Sequence, residues 1–169
     1  IDVNYIYVVP FCIAPIILKA FFDTRIALFT HLMAILIIGF IVPNGFEFVF
    51  LQLIAGIVSI LSVLKMYKRS QLFMSVAKVI VVYFVIYVSF SITHDGSFVG
   101  VDFGILVQLA ISGTLTLLAY PTIFLFEKIF SLVSDVSLLE LTDTNSALLR
   151  RLSEEAPGTF QHSLQVANL

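Results

Sequence analysis

The chain has 169 residues, of which 60% are hydrophobic and only 12% are charged. Soluble domains carry roughly 45–50% apolar and about 25% charged residues, so this composition, with a mean hydropathy of +1.08, excludes an ordinary soluble domain. The formal net charge of −2 offers no basic field for DNA or RNA polymers, and the single cysteine, Cys12, excludes a disulfide framework or a cysteine-based zinc site within the chain.

Five apolar segments approach or reach the length that a membrane-spanning helix needs, which is about 20 residues for a bilayer core about 30 Å thick. The spans are predicted over residues 5–22, 26–42, 46–66, 72–93 and 102–126. Pro10 and Pro15 interrupt the first span, which is the shortest. The runs are continuous and do not alternate as β-barrel strands do. The predicted fold is therefore an all-α, polytopic transmembrane bundle of about five spans, truncated before Ile1.

The basic residues predict how the spans are oriented, because cytoplasmic loops are enriched in Lys and Arg. With the C-terminus in the cytoplasm, all nine basic residues fall on the cytoplasmic side, provided that Lys78, inside the fourth span, extends its long side chain inward. The opposite loops carry Asp2, Glu47, Asp95 and Asp102 and no basic residue. The chain is therefore predicted to begin outside and to end inside.

The fifth span contains the polar pattern that most resembles a functional stripe. Gly104, Gln108, Ser112 and Thr116 follow one another at i, i+4 spacing and so share one helix face. Such a stripe either lines a ligand pocket or signalling interface, or lets helices pack closely, and the second use is the more common when no charge lies at mid-membrane.

Pro121 lies near the inner end of the same span and removes the backbone hydrogen bond to Leu117. The predicted kink either couples membrane movement to the following segment or is a bend that neighbouring groups absorb.

After Phe126 the sequence becomes polar. Residues 127–156 are predicted to form linker helices, one over Ser134–Leu141 and one over Ala147–Glu155, the latter preceded by N-cap residues ending at Ser146. Pro157 suits the first position of a further helix. The predicted domains are therefore a transmembrane domain over 1–126, a cytoplasmic linker over 127–156, and the first helix of a truncated domain over 157–169.

Two histidines raise the question of a metal site. His162 lies on the second turn of the last predicted helix, and neutral imidazole is a common metal ligand. Spacing alone nevertheless favours an ordinary surface histidine, because one imidazole makes no metal site. The dipeptide His94-Asp95 lies in a predicted outer loop before Gly96, where a loop-capping aspartate beside a chance histidine is the favoured interpretation.

The segment Leu138–Leu169, and above all the block Glu155-Ala-Pro-Gly-Thr-Phe-Gln-His-Ser163, resembles the junction of the seven-transmembrane HD-domain phosphohydrolases. This family comprises bacterial membrane proteins, some of which are cyclic-di-AMP phosphodiesterases. The membrane part is similar in kind, with prolines in the first span and an exit segment over Tyr120–Phe130. The resemblance covers the whole chain, and about its last thirty residues make it specific.

The resemblance implies that His162 is the first metal ligand of an HD domain whose remaining ligands lie beyond Leu169, with Gln161 standing where many relatives carry a second histidine. It implies a pair of divalent metals, iron or manganese, that hydrolyse a cyclic dinucleotide in the full-length protein. This chain itself is then the membrane anchor and regulatory portion in the bacterial inner membrane and is not catalytically competent. Its partners are the lipid bilayer and, in the full-length protein, the substrate, and homo-oligomerisation is left open.

Two other functions stay open at this point. A membrane receptor with a non-catalytic output domain predicts the same spans. A transporter is ranked last, because it requires intramembrane charges, discontinuous helices or an internal repeat, and only the proline-broken first span fits.

Overall fold

The computed structural model of the chain describes residues 3–64, 71–96, 100–135, 137–138 and 146–167. Eight α-helices and two short 3₁₀ helices (Val3–Val8 and Thr116–Leu118) have both ends within these residues, which contain no β-strand, so the all-α class is confirmed. The α-helices are α1 Ile13–Phe21, α2 Thr24–Gly39, α3 Gly45–Leu64, α4 Gln71–Asp95, α5 Phe103–Leu115, α6 Ala119–Phe130, α7 Ala147–Glu155 and α8 Pro157–Ala167.

Three stretches of the described chain are long and apolar enough to cross a bilayer, namely Gly45–Val63, Phe73–His94 and Phe103–Phe130. The third combines α5, the second 3₁₀ helix and α6. Two shorter apolar helical segments, Tyr5–Phe21 and Thr24–Gly39, correspond to the first two predicted spans. The 16 residues of α2 rise only about 24 Å, less than the bilayer core of about 30 Å.

The first predicted span is interrupted, as its two prolines indicate. A 3₁₀ helix over Val3–Val8 is followed by a turn, and α1 begins only at Ile13. Pro10 lies in that turn. Pro15 is the third residue of α1, within the first turn, where a backbone N–H has no intrahelical acceptor and its loss costs the helix nothing.

Side-chain caps start several of the helices. The Asp23 carboxylate accepts a hydrogen bond from the Thr24 backbone N–H at 2.8 Å, and Asp102 accepts one from Gly104 at 2.7 Å. Ser146 caps α7, which confirms its predicted bounds. These side chains satisfy N–H groups that a helix leaves free at its first turn.

The helices pack around α3, which contacts α1, α2 and α4, while α5 packs on α4 and α6 on α1. Glycines allow two of these helix pairs, α2 with α3 and α4 with α5, to lie close together. A Cβ on Gly56 would overlap the His31 imidazole of α2, and a Cβ on Gly113 would overlap the Ile80 side chain of α4. Small residues at helix contacts are the usual device of membrane bundles, because backbones can then approach closely.

The buried side chains form two clusters along the bundle. One is formed by side chains of α1, α3, α4 and α6 and contains Ile16, Ala20, Val63, Val76, Ala119 and Ile123. The other lies toward the start of α5 and contains Cys12, Leu51, Ala55, Val79, Tyr83, Tyr87 and Leu109. The outward faces carry exposed apolar side chains such as Phe29 and Ile37 of α2 and Val81 and Val85 of α4, which suits a surface in contact with lipid.

Substituting Gly56→Ala tests the α2–α3 contact. The added methyl group overlaps the His31 ring, so we expect a loss of about 1–3 kcal/mol from overpacking, visible as a lower thermal midpoint of the detergent-solubilised protein. The matched control is Gly158→Ala, since a Cβ at Gly158 meets nothing within 4 Å. Equal midpoints for the two variants would show that the helices do not approach as described.

Candidate functional site

A cavity of about 690 Å³ opens where the start of α3, the end of α4 and the start of α5 meet. Its volume lies within the range of roughly 300–1,000 Å³ that is typical of small-molecule sites. The polar residues that line it are Tyr7, Asn44, Glu47, Tyr87, Ser91, His94, Asp102 and Gln108. We call it the outer cavity, because it lies at the end of the bundle that the sequence predicts to face outward.

Asp102 fixes one wall of the outer cavity. Its Oδ1 atom caps α5 through the Gly104 N–H, and its own backbone N–H donates to the Tyr87 hydroxyl of α4 at 3.2 Å. The start of α5 is thus tied to the end of α4. Glu47, in the first turn of α3, contributes a second carboxylate, and the described lining contains no Lys or Arg.

His94 also lines this cavity, and its predicted place in a loop is wrong. Helix α4 continues to Asp95, so that His94 lies in the last helical turn. Within the described part of the chain, no three side chains of the His, Cys, Asp and Glu types are grouped so that they could hold a metal ion.

Aromatic rings form the apolar part of the wall. Phe90 of α4 meets Phe46 and Phe50 of α3 edge-on, with ring centroids 6.1 and 5.4 Å apart. Phe46 and Phe90 both line the cavity, as do Tyr7 and Tyr87. The combination of carboxylates and aromatic rings gives the cavity an acidic, partly apolar interior.

The predicted stripe on α5 divides into parts with different surroundings. Gly104 is exposed and its N–H is capped by Asp102. Gln108 lines the outer cavity, and its Oε1 atom is buried without a hydrogen-bond partner among the described residues. Ser112 donates to the Val9 carbonyl at 3.0 Å, and Thr116 donates to the Ser112 carbonyl at 3.1 Å, both inside the bundle.

A buried polar network links four segments of the bundle. The Tyr83 hydroxyl of α4 donates to Gln52 Oε1 of α3 at 2.9 Å and lies 3.3 Å from the Cys12 sulfur just before α1. The Gln52 backbone carbonyl in turn lies 3.0 Å from His31 Nε2 of α2. The sequence pattern alone does not predict a role for Tyr83 or His31. The available signal was the spacing of Tyr83 and Tyr87, which places two hydroxyls on one face of α4.

The continuity of the last span is interrupted before Pro121. The α-helical pattern changes to a 3₁₀ turn over Thr116–Leu118, and α6 restarts at Ala119. Pro121 thereby occupies the first turn of a new helix, where a missing N–H is tolerated. The structure thus has an irregular turn where the sequence predicts a kink, while the coupling role of Pro121 stays a prediction.

The carboxylate of Glu127, near the end of α6, binds the segment that follows this helix. Glu127 Oε1 accepts hydrogen bonds from the Ser134 backbone N–H at 3.0 Å and from the hydroxyls of Ser134 and Ser137, each at 2.6 Å. The chain reverses through Ser131 in a left-handed conformation with φ 52. We call the Glu127–Ser134–Ser137 contacts, with the ion pair described next, the exit junction.

Lys19 at the end of α1 completes the exit junction. Its Nζ atom lies 2.7 Å from Asp135 Oδ2, and the Lys19 side chain is only 11% exposed. A helical turn begins at Asp135, because the Leu138 N–H donates to the Ser134 carbonyl at 3.0 Å. The predicted helix over Ser134–Leu141 is described only as far as Leu138, and its remainder lies outside the described residues.

The last two helices carry the motif residues. Helix α8 begins at Pro157, as predicted, and His162 lies on its exposed surface. Helix α7 is solvent-exposed as well and is bridged along its length by the ion pairs Arg150–Glu154 and Arg151–Glu155, at 3.1 and 2.7 Å. A metal-ligand role for His162 stays a prediction.

Comparison with known proteins gives one family over most of the chain. The sequence model of the family described as "7TM receptor with intracellular HD hydrolase" matches residues 1–134. The cyclic-di-AMP phosphodiesterase PgpH of Bacillus subtilis is 29% identical over 174 residues, an alignment that covers 98% of the chain and 24% of the Bacillus protein. The chain therefore spans about a quarter of the length of this relative.

Two further relatives match shorter stretches. PgpH of Listeria monocytogenes is 45% identical over 53 residues, 31% of the chain and 7% of the Listeria protein. The protein slr0104 of Synechocystis is 54% identical over 43 residues, 25% of the chain and 5% of the Synechocystis protein. No solved structure matches the chain.

Replacing Tyr83 by Phe tests the buried network. The variant keeps the ring but leaves Gln52 Oε1 and the Cys12 sulfur without this hydroxyl, so we expect a loss of about 1 kcal/mol, read as a lower thermal midpoint in detergent. Tyr5→Phe is the matched control, because the Tyr5 side chain is 62% exposed. If both variants have the same thermal midpoint as the wild type, the hydroxyl of Tyr83 does not stabilise the bundle.

Proposed function

Because the chain belongs to the family of 7TM receptors with an intracellular HD hydrolase, we propose that it is the membrane anchor and regulatory portion of a cyclic-dinucleotide phosphodiesterase. The proposed substrate is of the cyclic-di-AMP class, the substrate that the names of the Bacillus and Listeria relatives print. The chain spans about a quarter of the Bacillus protein, so the activity proposed is that of the full-length protein.

The exit junction is the observation that carries the regulatory part of the proposal. Glu127 receives three hydrogen bonds from Ser134 and Ser137, and Lys19 pairs with Asp135. These contacts fix the direction in which the chain leaves the bundle. A segment held in this way transmits a shift of α1 or α6 to whatever follows it, whereas a flexible linker would absorb that shift.

The other end of the same span lies at the outer cavity. Helix α5 contributes Asp102 at its cap and Gln108 nearly two turns further in. The stretch Phe103–Phe130 has 28 residues and contains Glu127 near its end. At about 1.5 Å per residue this stretch is about 42 Å long. The 3₁₀ turn before Pro121 is an irregular point in this stretch. The regular α-helical hydrogen bonds are already interrupted there, so the helix can change direction at this point with little further rearrangement.

Hydrolysis is proposed to take place in an HD domain to which α8 belongs, with His162 as its first metal ligand. The described residues do not by themselves form a metal centre, so no step of the reaction is assigned to them. His162 is exposed on α8 and not enclosed in the bundle, which leaves its imidazole accessible to further ligands. A pair of iron or manganese ions is the proposed cofactor of the full-length protein, where it would supply an activated water.

The proposed location is the bacterial inner membrane, with α7 and α8 in the cytoplasm. The distribution of charge supports this orientation. Lys19, Arg25 and Lys128 lie at the exit-junction end of the bundle, whereas Glu47 and Asp102 lie at the cavity end. Positive residues on the cytoplasmic side are the rule for multi-pass proteins.

Replacing His162 by Ala in the full-length protein tests the proposed metal role. Losing one ligand of a metal pair removes metal as well as activity, so we expect cyclic-di-AMP hydrolysis to fall by about 100-fold or more and metal content, measured by elemental analysis, to fall with it. The control is Gln161→Ala, at an exposed neighbour on the same helix. Full activity and full metal content in the His162 variant would contradict the assignment.

A further inference from the structure

The outer cavity is lined by two carboxylates and by six polar side chains that can both donate and accept hydrogen bonds. Glu47 and Asp102 contribute two carboxylates, and the described lining contains no Lys or Arg. His94 can carry one positive charge there and interacts with the charge of Glu47, so the carboxylates still outnumber the groups that can become cationic. One Asp102 oxygen is used to cap α5, but an ionised carboxylate has about four acceptor sites, so capacity remains. A cavity of this kind attracts positive charge, because field lines concentrate in a concave site with low-dielectric walls.

Gln108 adds a neutral acceptor with unmet capacity. Its Oε1 atom is buried and has no donor among the described residues. Leaving such a group unsatisfied is unfavourable, and a ligand N–H would satisfy it once the amide rotates so that the oxygen faces the cavity. A ligand that carries several N–H groups therefore fits the lining better than one whose charge is fully alkylated.

Aromatic rings supply the rest of the recognition surface. Tyr7, Tyr87, Phe46 and Phe90 line the same space as the two carboxylates. Faces of aromatic rings attract cations, and their edges and faces pack against apolar groups. The volume of about 690 Å³ accommodates a body larger than a bare metal ion, and no metal-binding cluster is present among the described residues.

From these features we propose that the outer cavity binds a small organic cation, consisting of a primary ammonium group attached to an apolar or aromatic body. The ammonium group lies between Glu47 and Asp102 and donates toward Gln108, while the body packs on the aromatic wall. The ligand thereby links α3 to α5. As a signal, this binding rests on the proposed function, since α5 leads through α6 to the exit junction.

Binding is tested on the full-length protein in lipid nanodiscs by calorimetric titration with three probes of one size class. Phenethylammonium has all three features of the proposed ligand, namely a positive charge, N–H donors and an aromatic ring. Its N,N,N-trimethyl derivative keeps the charge and loses the donors, and 2-phenylethanol is neutral. We expect phenethylammonium to bind with the highest affinity and 2-phenylethanol to bind at least about tenfold more weakly, a difference of about 1.4 kcal/mol.

Substitutions locate the site. We expect Glu47→Gln to weaken phenethylammonium binding by about tenfold or more and to leave the affinity for 2-phenylethanol unchanged. Asp102→Asn is expected to act in the same way, and asparagine preserves the helix cap, so the fold is kept. The control is Glu154→Gln, which removes a carboxylate from the exposed helix α7. Thermal midpoints verify that all variants are folded.

Several results would overturn the proposal. These are equal affinity for the alcohol and the ammonium probe, affinity unchanged by Glu47→Gln, or no binding of either cation at millimolar concentration. Failure here is distinguishable from failure of the proposed function. If the full-length protein shows hydrolysis that depends on His162 but binds none of the cations, only the proposed ligand of the cavity is wrong. If it binds phenethylammonium but does not hydrolyse cyclic-di-AMP, the proposed enzyme function is wrong and the proposed ligand of the cavity is not affected.

Discussion

Inside a bilayer a polar group has no water to bond with, so each one must find a partner within the protein. This constraint determines where the polar residues of the chain lie. Tyr83, Gln52 and Cys12 pair with one another at the centre of the bundle, and Ser112 reaches the carbonyl of Val9. Two buried polar atoms have no partner among the described residues, namely Gln52 Nε2 inside the bundle and Gln108 Oε1 on a residue that lines the outer cavity. The paired polar groups hold the bundle together, and the unpaired Gln108 oxygen lies where we propose that a ligand binds.

The same constraint explains the two proline-associated irregularities. Each proline removes a backbone donor that a membrane helix would otherwise use. The chain responds by ending one helix and starting another, so that Pro15 and Pro121 both lie in the first turn of a helix. In the first span, the new start near Pro15 leaves only a short α1. In the last span, the new start near Pro121 coincides with the 3₁₀ turn between the outer cavity and the exit junction. Two shortened or interrupted helices are thus direct consequences of where prolines fall in apolar sequence.

Local signals made much of this predictable. The apolar runs predict the membrane helices and their order. Ser146 and Pro157 predict where α7 and α8 begin, and the block around His162 indicates the family. The cavity was not predictable, because Tyr7, Glu47, His94 and Gln108 lie far apart in the sequence and meet only through packing. The pairing of Lys19 with Asp135, 116 residues apart, is of the same kind. The Gln108 stripe was recognised by its spacing, but spacing could not show which of its members line a cavity and which only pack.

We propose that the membrane bundle controls hydrolysis in the full-length protein by holding the chain at the exit junction. The most direct measurement is a charge-reversal cycle on Lys19 and Asp135 in the full-length protein, reading the rate of cyclic-di-AMP hydrolysis in nanodiscs at constant metal content. Lys19→Asp and Asp135→Lys each place like charges together, so either alone is predicted to change the rate, and the double variant is predicted to restore it. The proposed control is ruled out if both single variants hydrolyse at the wild-type rate, or if the rate of the double variant is no closer to wild type than the rates of the single variants.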